Sequence, residues 1–166
     1  MVGENYAQEL MAKWADLEDV AVGLHFIGRL QSNKVRQLAT RVDVWESVDR
    51  ASLVDEIAAR QPGATLLVQV NATGEPNKGG CRADEVGELV TRGLNLNLNV
   101  SGLMAVGPTD GDVAQTRLAF RRVRALADEL GLTTCSMGMS HDLDIALDCG
   151  TTRVRVGTAL FGERPS

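Results

Sequence analysis

Apolar residues recur along this chain in two rhythms, one helical and one strand-like, and the two alternate. Tyr6, Leu10, Trp14 and Leu17 recur at helical spacing over residues 4–18, with Glu4, Gln8 and Glu9 on the other face. Only Met1-Val2-Gly3 precede this helix, so no strand is expected before it. Residues 20–27 form the first clear strand, ending at Gly28, and Ser32 is placed to cap a helix with Val35, Leu38 and Val42 inward. A second strand over 42–48 carries Trp45 and Glu46 near its end. Asp49 is the expected cap of a helix with the stripe Leu53, Val54 and Ile57, stopped by Gln61-Pro62-Gly63. The third strand, 65–71, is apolar enough to be buried on both faces.

A polar loop over 72–80, with Glu75 and Lys78, reads first as a solvated connection and second as a functional loop. A helix over 83–93 uses Val86, Leu89 and Val90, and the fourth strand is placed at 100–105, before the turn Gly107-Pro108. Asp112 caps a long helix that Gly131 ends. Its Arg117, Arg121, Arg122 and Arg124 are expected to face solvent. A strand over 133–136, a helix over 141–149 and a strand over 152–156 complete six strands alternating with helices. Strands at this spacing predict an α/β fold, a parallel sheet with right-handed crossovers, two strands short of a closed (β/α) barrel. No Gly-x-Gly-x-x-Gly follows the first strand, which argues against a dinucleotide site.

Composition narrows the function. The length fits one domain over 1–166. A net charge of −5 with no basic face speaks against nucleic acid as a partner. No long apolar run and no leader pattern occur, so a cytoplasmic protein with no membrane partner is expected. Cys81, Cys135 and Cys149 make no metal-ligand pair and read as small core residues, and no metal site is expected. Lysine occurs only at 13, 34 and 78. His25, among apolar residues on a strand, reads as a core or mouth histidine with one satisfied nitrogen, with proton transfer as the alternative.

The candidate chemistry lies near the C-terminus. Ser136-Met137-Gly138-Met139-Ser140 and Gly157-Thr158 each follow a strand, and both are small-residue loops with hydroxyls. Freed backbone amides beside hydroxyls make a phosphate cradle, and paired loops after consecutive strands are where a barrel enzyme holds one. Each loop alone also reads as an ordinary turn.

The segments Gly3-Glu4-Asn5-Tyr6, His25-Phe26-Ile27-Gly28-Arg29-Leu30-Gln31-Ser32-Asn33-Lys34, Ser136-Met137-Gly138-Met139-Ser140 and Val154-Arg155-Val156-Gly157-Thr158-Ala159-Leu160-Phe161-Gly162 resemble the pyridoxal phosphate homeostasis protein family. The resemblance runs from Gly3 to Arg164. It implies the barrel of the alanine racemase N-terminal domain and a protein that binds pyridoxal 5′-phosphate without a settled reaction. By position, Ser136 and the Gly157-Thr158 amides and hydroxyl would hold the phosphate. Arg155 would face the pyridine nitrogen, Asn5 would lie near the ring, and Met137 and Ser140 would line the loop. No catalytic residue is implied.

The family carries its Schiff-base lysine at the end of a first strand, and here the chain begins at the later Gly-Glu-Asn-Tyr segment. The resemblance therefore implies an N-terminally truncated member, an incomplete barrel lacking the first strand-helix units, with no residue matching that lysine. His141 stands where the family commonly has an acidic residue and reads as a helix-cap change. An open barrel exposes sheet edges, so a homodimer through the gap is expected, unless the sequence is part of a longer protein. The expected function is a non-enzymatic, non-covalent holder of pyridoxal phosphate in vitamin B6 homeostasis. The alternatives are a racemase-like enzyme or a degenerate member that binds nothing.

Overall fold

The computed structural model describes residues 1–17 and 22–162. Six parallel strands form one sheet in the order β1 to β6, each next to its neighbour in sequence. They are β1 (Val2–Glu4), β2 (Leu24–Phe26), β3 (Val44–Val48), β4 (Thr65–Gln69), β5 (Asn99–Met104) and β6 (Thr134–Ser136). Between them run α1 (Ala7–Leu17), α2 (Ser32–Leu38), α3 (Ala51–Arg60), α4 (Val86–Asn95) and α5 (Val113–Glu129). The short helices α6 (Leu143–Asp148) and α7 (Thr158–Phe161) close the chain. Sequential parallel neighbours with a helix in each crossover are the wall of an incomplete (β/α) barrel, as the periodicity predicts.

The strand inventory differs from expectation at both ends. Val2–Glu4 is a strand, paired in register with Leu24–Phe26. Three residues suffice there because β2 supplies the partner backbone, with Val2 N–H donating to Gly23 O and Ile27 N–H to Glu4 O. The segment 152–156 is not a strand and makes only a bridge between Ser136 and Arg153. Its ladder starts, with Arg153 N–H donating to Cys135 O and Met137 N–H to Arg153 O, and then slips at Gly138, whose carbonyl rather than that of Met137 accepts from Arg155 N–H. Gly138 has φ +93°. The Thr151 hydroxyl lies within 3.0 Å of the Cys135, Met137 and Arg153 carbonyl oxygens and takes over part of the pairing. Of the strand expected over 20–27, Val20 and Ala21 lie outside the described residues.

Alternation divides the sheet into two faces. Phe26, Trp45, Leu66, Val68 and Leu103 join the inward positions of the helices, namely Val35, Leu38, Leu53, Ile57 and Phe120, in the core between sheet and helices. The Phe26 and Trp45 rings tilt against each other at 6.2 Å between centroids. Trp45 is fully buried, and its indole N–H finds Gln61 Oε1 at 2.8 Å. That bond removes the cost of burying an unpaired donor, about 1–3 kcal/mol. The opposite face lines the barrel interior, and His25 and Glu46 point there. All three cysteines are buried and unpaired. Burial, with the Glu85 and Asp49 charges, pushes the Cys81 thiol up to about 12, so it is packing and not a nucleophile.

Two expected caps change. Asp112 does cap α5, accepting from Gln115 N at 2.7 Å. Asp49 does not cap α3, whose N-cap is Arg50 with no side-chain bond. Asp49 pairs with Arg50 instead, at 2.7 Å. Likewise Ser32 opens α2, and Gln31 is the N-cap.

Candidate functional site: a buried polar cluster beside a loop cradle

The 136–140 loop and the 153–158 segment lie side by side. Arg155 N–H donates to Gly138 O at 2.9 Å. The Arg155 guanidinium reaches back under the first loop, with Nη1 2.7 Å from both Ser136 O and Ser136 Oγ and Nη2 2.7 Å from Ala105 O. Three of its five N–H donors are thereby fixed, and two remain for a ligand. Burial pulls its pKa below the ordinary arginine value, against the Glu46 and Asp142 charges that raise it.

Ser136 is fully buried. Its hydroxyl donates to Glu46 Oε2 at 2.6 Å and accepts from Arg155. Its one proton is thus spent inside the protein, and the hydroxyl has none to offer a phosphate. Met137 is also fully buried, and its side chain belongs to the apolar core, so only its backbone borders the loop. Ser140 is exposed at the loop's tip. Gly157 and Thr158 are exposed at the start of α7. Among the described residues the Thr158 hydroxyl has no hydrogen-bond partner, and neither do the Gly157 and Thr158 amides. A Cβ built on Gly157 meets nothing within 4 Å. Open space faced by free donors is the arrangement a phosphate needs, and the residues present fit that group.

Asn5 lies apart from this pair of loops. It borders a cavity of about 760 Å³ at the C-terminal ends of β1, β2 and β3, with Arg29, Gln31, Lys34, Asp49 and Arg50. Of the residues carried over by resemblance, Asn5 alone lines it. The Gly3–Tyr6 and His25–Lys34 segments meet here through backbone. Gly28 lies so close to Asn5 that a Cβ on it would stand 1.8 Å from the Asn5 carbonyl oxygen.

The centre of the interior face is Glu46, 1 % exposed. It accepts from His25 Nδ1 at 2.5 Å, from Ser136 Oγ at 2.6 Å and from Arg153 Nη1 at 3.0 Å. Burial alone would raise its pKa, but the His25 and Ser136 hydrogen bonds and the Arg153 charge outweigh it and hold the carboxyl below its usual range. Sequence reasoning passed over Glu46 and Arg153 as site residues. The signal was present in each: a carboxylate between Val44 and Val48 on one face of a buried strand, and an arginine two residues before Arg155 on the same face.

Two of the three lysines are occupied. Lys13 Nζ pairs with Glu4 at 2.7 Å. Lys78 Nζ pairs with Glu75 Oε2 at 2.5 Å and donates to Gly107 O. Lys34 borders the cavity, and its ammonium has no partner among the described residues. His141 is exposed and stands 3.6 Å from Asp142 Oδ2. No helix among the described residues is long and apolar enough to cross a membrane, and no cluster of three metal-ligating side chains occurs among them.

Known proteins resemble this chain along nearly its whole length. Residues 18–165 match the family model described as alanine racemase, N-terminal domain. A pyridoxal phosphate homeostasis protein of Aquifex aeolicus is 43% identical over 173 residues, covering 98% of this chain and 76% of that protein. One of Pseudomonas aeruginosa is 41% identical over 169 residues, covering 98% and 74%. The structure of PipY from Synechococcus elongatus with pyridoxal phosphate bound superposes with a TM-score of 0.87 at 34% identity, covering 96% of this chain and 80% of that one. The chain belongs to the pyridoxal phosphate homeostasis protein family, built on the alanine racemase N-terminal domain.

Proposed function

We propose that this protein holds pyridoxal phosphate reversibly, as a non-enzymatic carrier in vitamin B6 homeostasis. The observation that carries this reading is the pairing of the open Gly157-Thr158 cradle with the anchored Arg155 guanidinium. The Gly157 and Thr158 amides and the Thr158 hydroxyl receive the phosphate. A remaining N–H of Arg155 meets the pyridine nitrogen, Ser140 borders the loop, and Asn5 borders the ring from the far side. Ser136 serves by its bonds to Arg155, and Met137 by its backbone.

When bound, the cofactor supplies an aldehyde and a ring that accepts electrons. A guanidinium donor keeps the ring nitrogen unprotonated, because arginine does not give up its proton. The ring is then a weak electron sink, which suits a holder more than a carbanion catalyst. Lys13 and Lys78 are tied to carboxylates, which supports non-covalent holding. Should a covalent adduct form, Lys34 is where it belongs.

Thr158→Val tests the cradle. Binding of pyridoxal phosphate should weaken about tenfold, the worth of one charge-assisted hydrogen bond, while binding of pyridoxal stays unchanged. An equal loss for both ligands would remove the phosphate from Thr158.

The described residues share one sheet and one core, which supports reading 1–166 as one domain. Among the described residues β1 is paired on one side only. Met1, Leu160 and Phe161 are 77%, 71% and 81% exposed. A strand edge without a second partner and exposed apolar side chains each support a homodimer through the barrel gap.

A further inference from the structure

The barrel interior contains a histidine that the cradle and Arg155 leave unused. His25 and Glu46 sit on adjacent strands and both point inward, since their chain neighbours Phe26 and Trp45 pair in register and face the helices. His25 Nδ1 is 2.5 Å from Glu46 Oε1. An ionised carboxylate only accepts, so Nδ1 carries the hydrogen, and in the tautomer with one ring hydrogen Nε2 is an acceptor. Arg153 Nη1 closes the arrangement, 3.0 Å from Glu46 Oε1 and 3.4 Å from His25 Nδ1. Glu46 is therefore held from three sides, and the imidazole cannot turn over without breaking its shortest bond.

The other edge of the ring is different. Nε2 has no hydrogen-bond partner among the described residues. His25 keeps 6 % of its surface exposed, and the Nδ1 edge is turned to a carboxylate that is 1 % exposed, so the opening is on the Nε2 side. The register partner on β1 is Gly3, which brings no polar group to the ring, and the Ile27 side chain packs over it. An accessible acceptor that the protein leaves without a donor is free to take one from a ligand. The same Glu46 also fixes Ser136, which fixes Arg155, so the ring acceptor and the guanidinium donor are set by a single carboxylate.

We propose that His25 Nε2 is a ligand contact, accepting a hydrogen bond from a hydroxyl of the bound ligand, with Glu46 and Arg153 as the residues that position it. Resting on the reading that pyridoxal phosphate lies against Arg155, the hydroxyl is the phenolic group of its ring. The site then reads the ligand by opposite polarities, a donor for the ring nitrogen and an acceptor for the phenol.

The test compares pyridoxal phosphate with its analogue methylated at the phenolic oxygen, in the wild type and in His25→Asn. Asparagine keeps an N–H where Nδ1 stands, so it preserves the bond to Glu46, and it removes Nε2. The wild type should prefer pyridoxal phosphate by about tenfold, one hydrogen bond. His25→Asn should bind both ligands alike at a wild-type melting temperature. A purely structural role for the ring leaves the variant with undiminished affinity and preference, and that result would overturn the assignment. Nitrogen NMR of the His25 ring gives a second readout that needs no variant. Nε2 should resonate as an unprotonated nitrogen and shift when pyridoxal phosphate is added. A protonated Nε2 in the free protein, or no shift at saturation, would also overturn it. A wild type that binds neither ligand would sink the carrier reading as well, whereas an unaffected His25→Asn sinks only this contact.

Discussion

Single residues decide how the two halves of the site come together. Gly28 is the sharpest case, because its backbone passes against the Asn5 carbonyl with no room for a methyl group. Gly28→Ala should destabilise the protein by about 3 kcal/mol, the upper range for overpacking, since the obstacle is backbone and cannot rotate away. Urea denaturation would measure it, and a loss below about 0.5 kcal/mol would mean that β1 and the β2 loop separate easily. Sequence alone marked Gly28 only as a strand end. It also marked Ser136 as a phosphate ligand by position, and the hydroxyl proves to be spent on Glu46. A buried hydroxyl and an exposed one look alike in a string of letters. What separates them is a carboxylate ninety positions away in the chain, and no local pattern encodes that meeting.

Elements were legible where their apolar period was long. The stripe of α3 and the stretch Leu66-Leu67-Val68 appear as the periodicity predicts. The misreadings fall where neighbours override propensity. Val2–Glu4 pairs because β2 is beside it, and 152–156 makes only a bridge because the register slips at Gly138, where φ is +93°. The loop over 72–80, read first as a solvated connection, is in part a clasp. Glu75 receives Lys78, the Thr109 amide and hydroxyl, and the Thr73 hydroxyl, and Lys78 donates in turn to Gly107 O. This joins the loop after β4 to the loop after β5.

The Lys78 bond, followed by those from Thr109 and Thr73, holds the Glu75 carboxyl down at about 2, from an ordinary value of 4.5. A carboxyl lowered in the folded state stabilises fully above the unfolded value and loses that contribution as the pH falls through the folded one. The gap in melting temperature between wild type and Glu75→Gln should therefore be widest above pH 4.5 and close towards pH 2. A gap that stays constant over that range would mean the clasp adds nothing through its charge.

At the scale of the molecule, six strands curl into a wall whose interior face is polar at Glu46 and whose first strand has one strand neighbour among the described residues. Two chains meeting at that edge would each gain backbone partners. Sedimentation should show a dimer, and a monomer at all concentrations would leave the edge without a role. The fold class was legible in full, because alternating strand and helix periods with short connections leave few other architectures. The site was legible only as two loops. What joins them is an interior network formed by β2, β3, β6 and the segment after it.

On the proposed reading, the Thr158 cradle and Arg155 hold pyridoxal phosphate without a covalent bond. The most direct measurement is a titration of the purified protein with pyridoxal phosphate followed by absorbance, then borohydride reduction and intact mass. Saturable binding of one ligand per chain with an unchanged mass after reduction is the predicted result. No saturable binding, or a stoichiometric reducible adduct on a lysine, would contradict it.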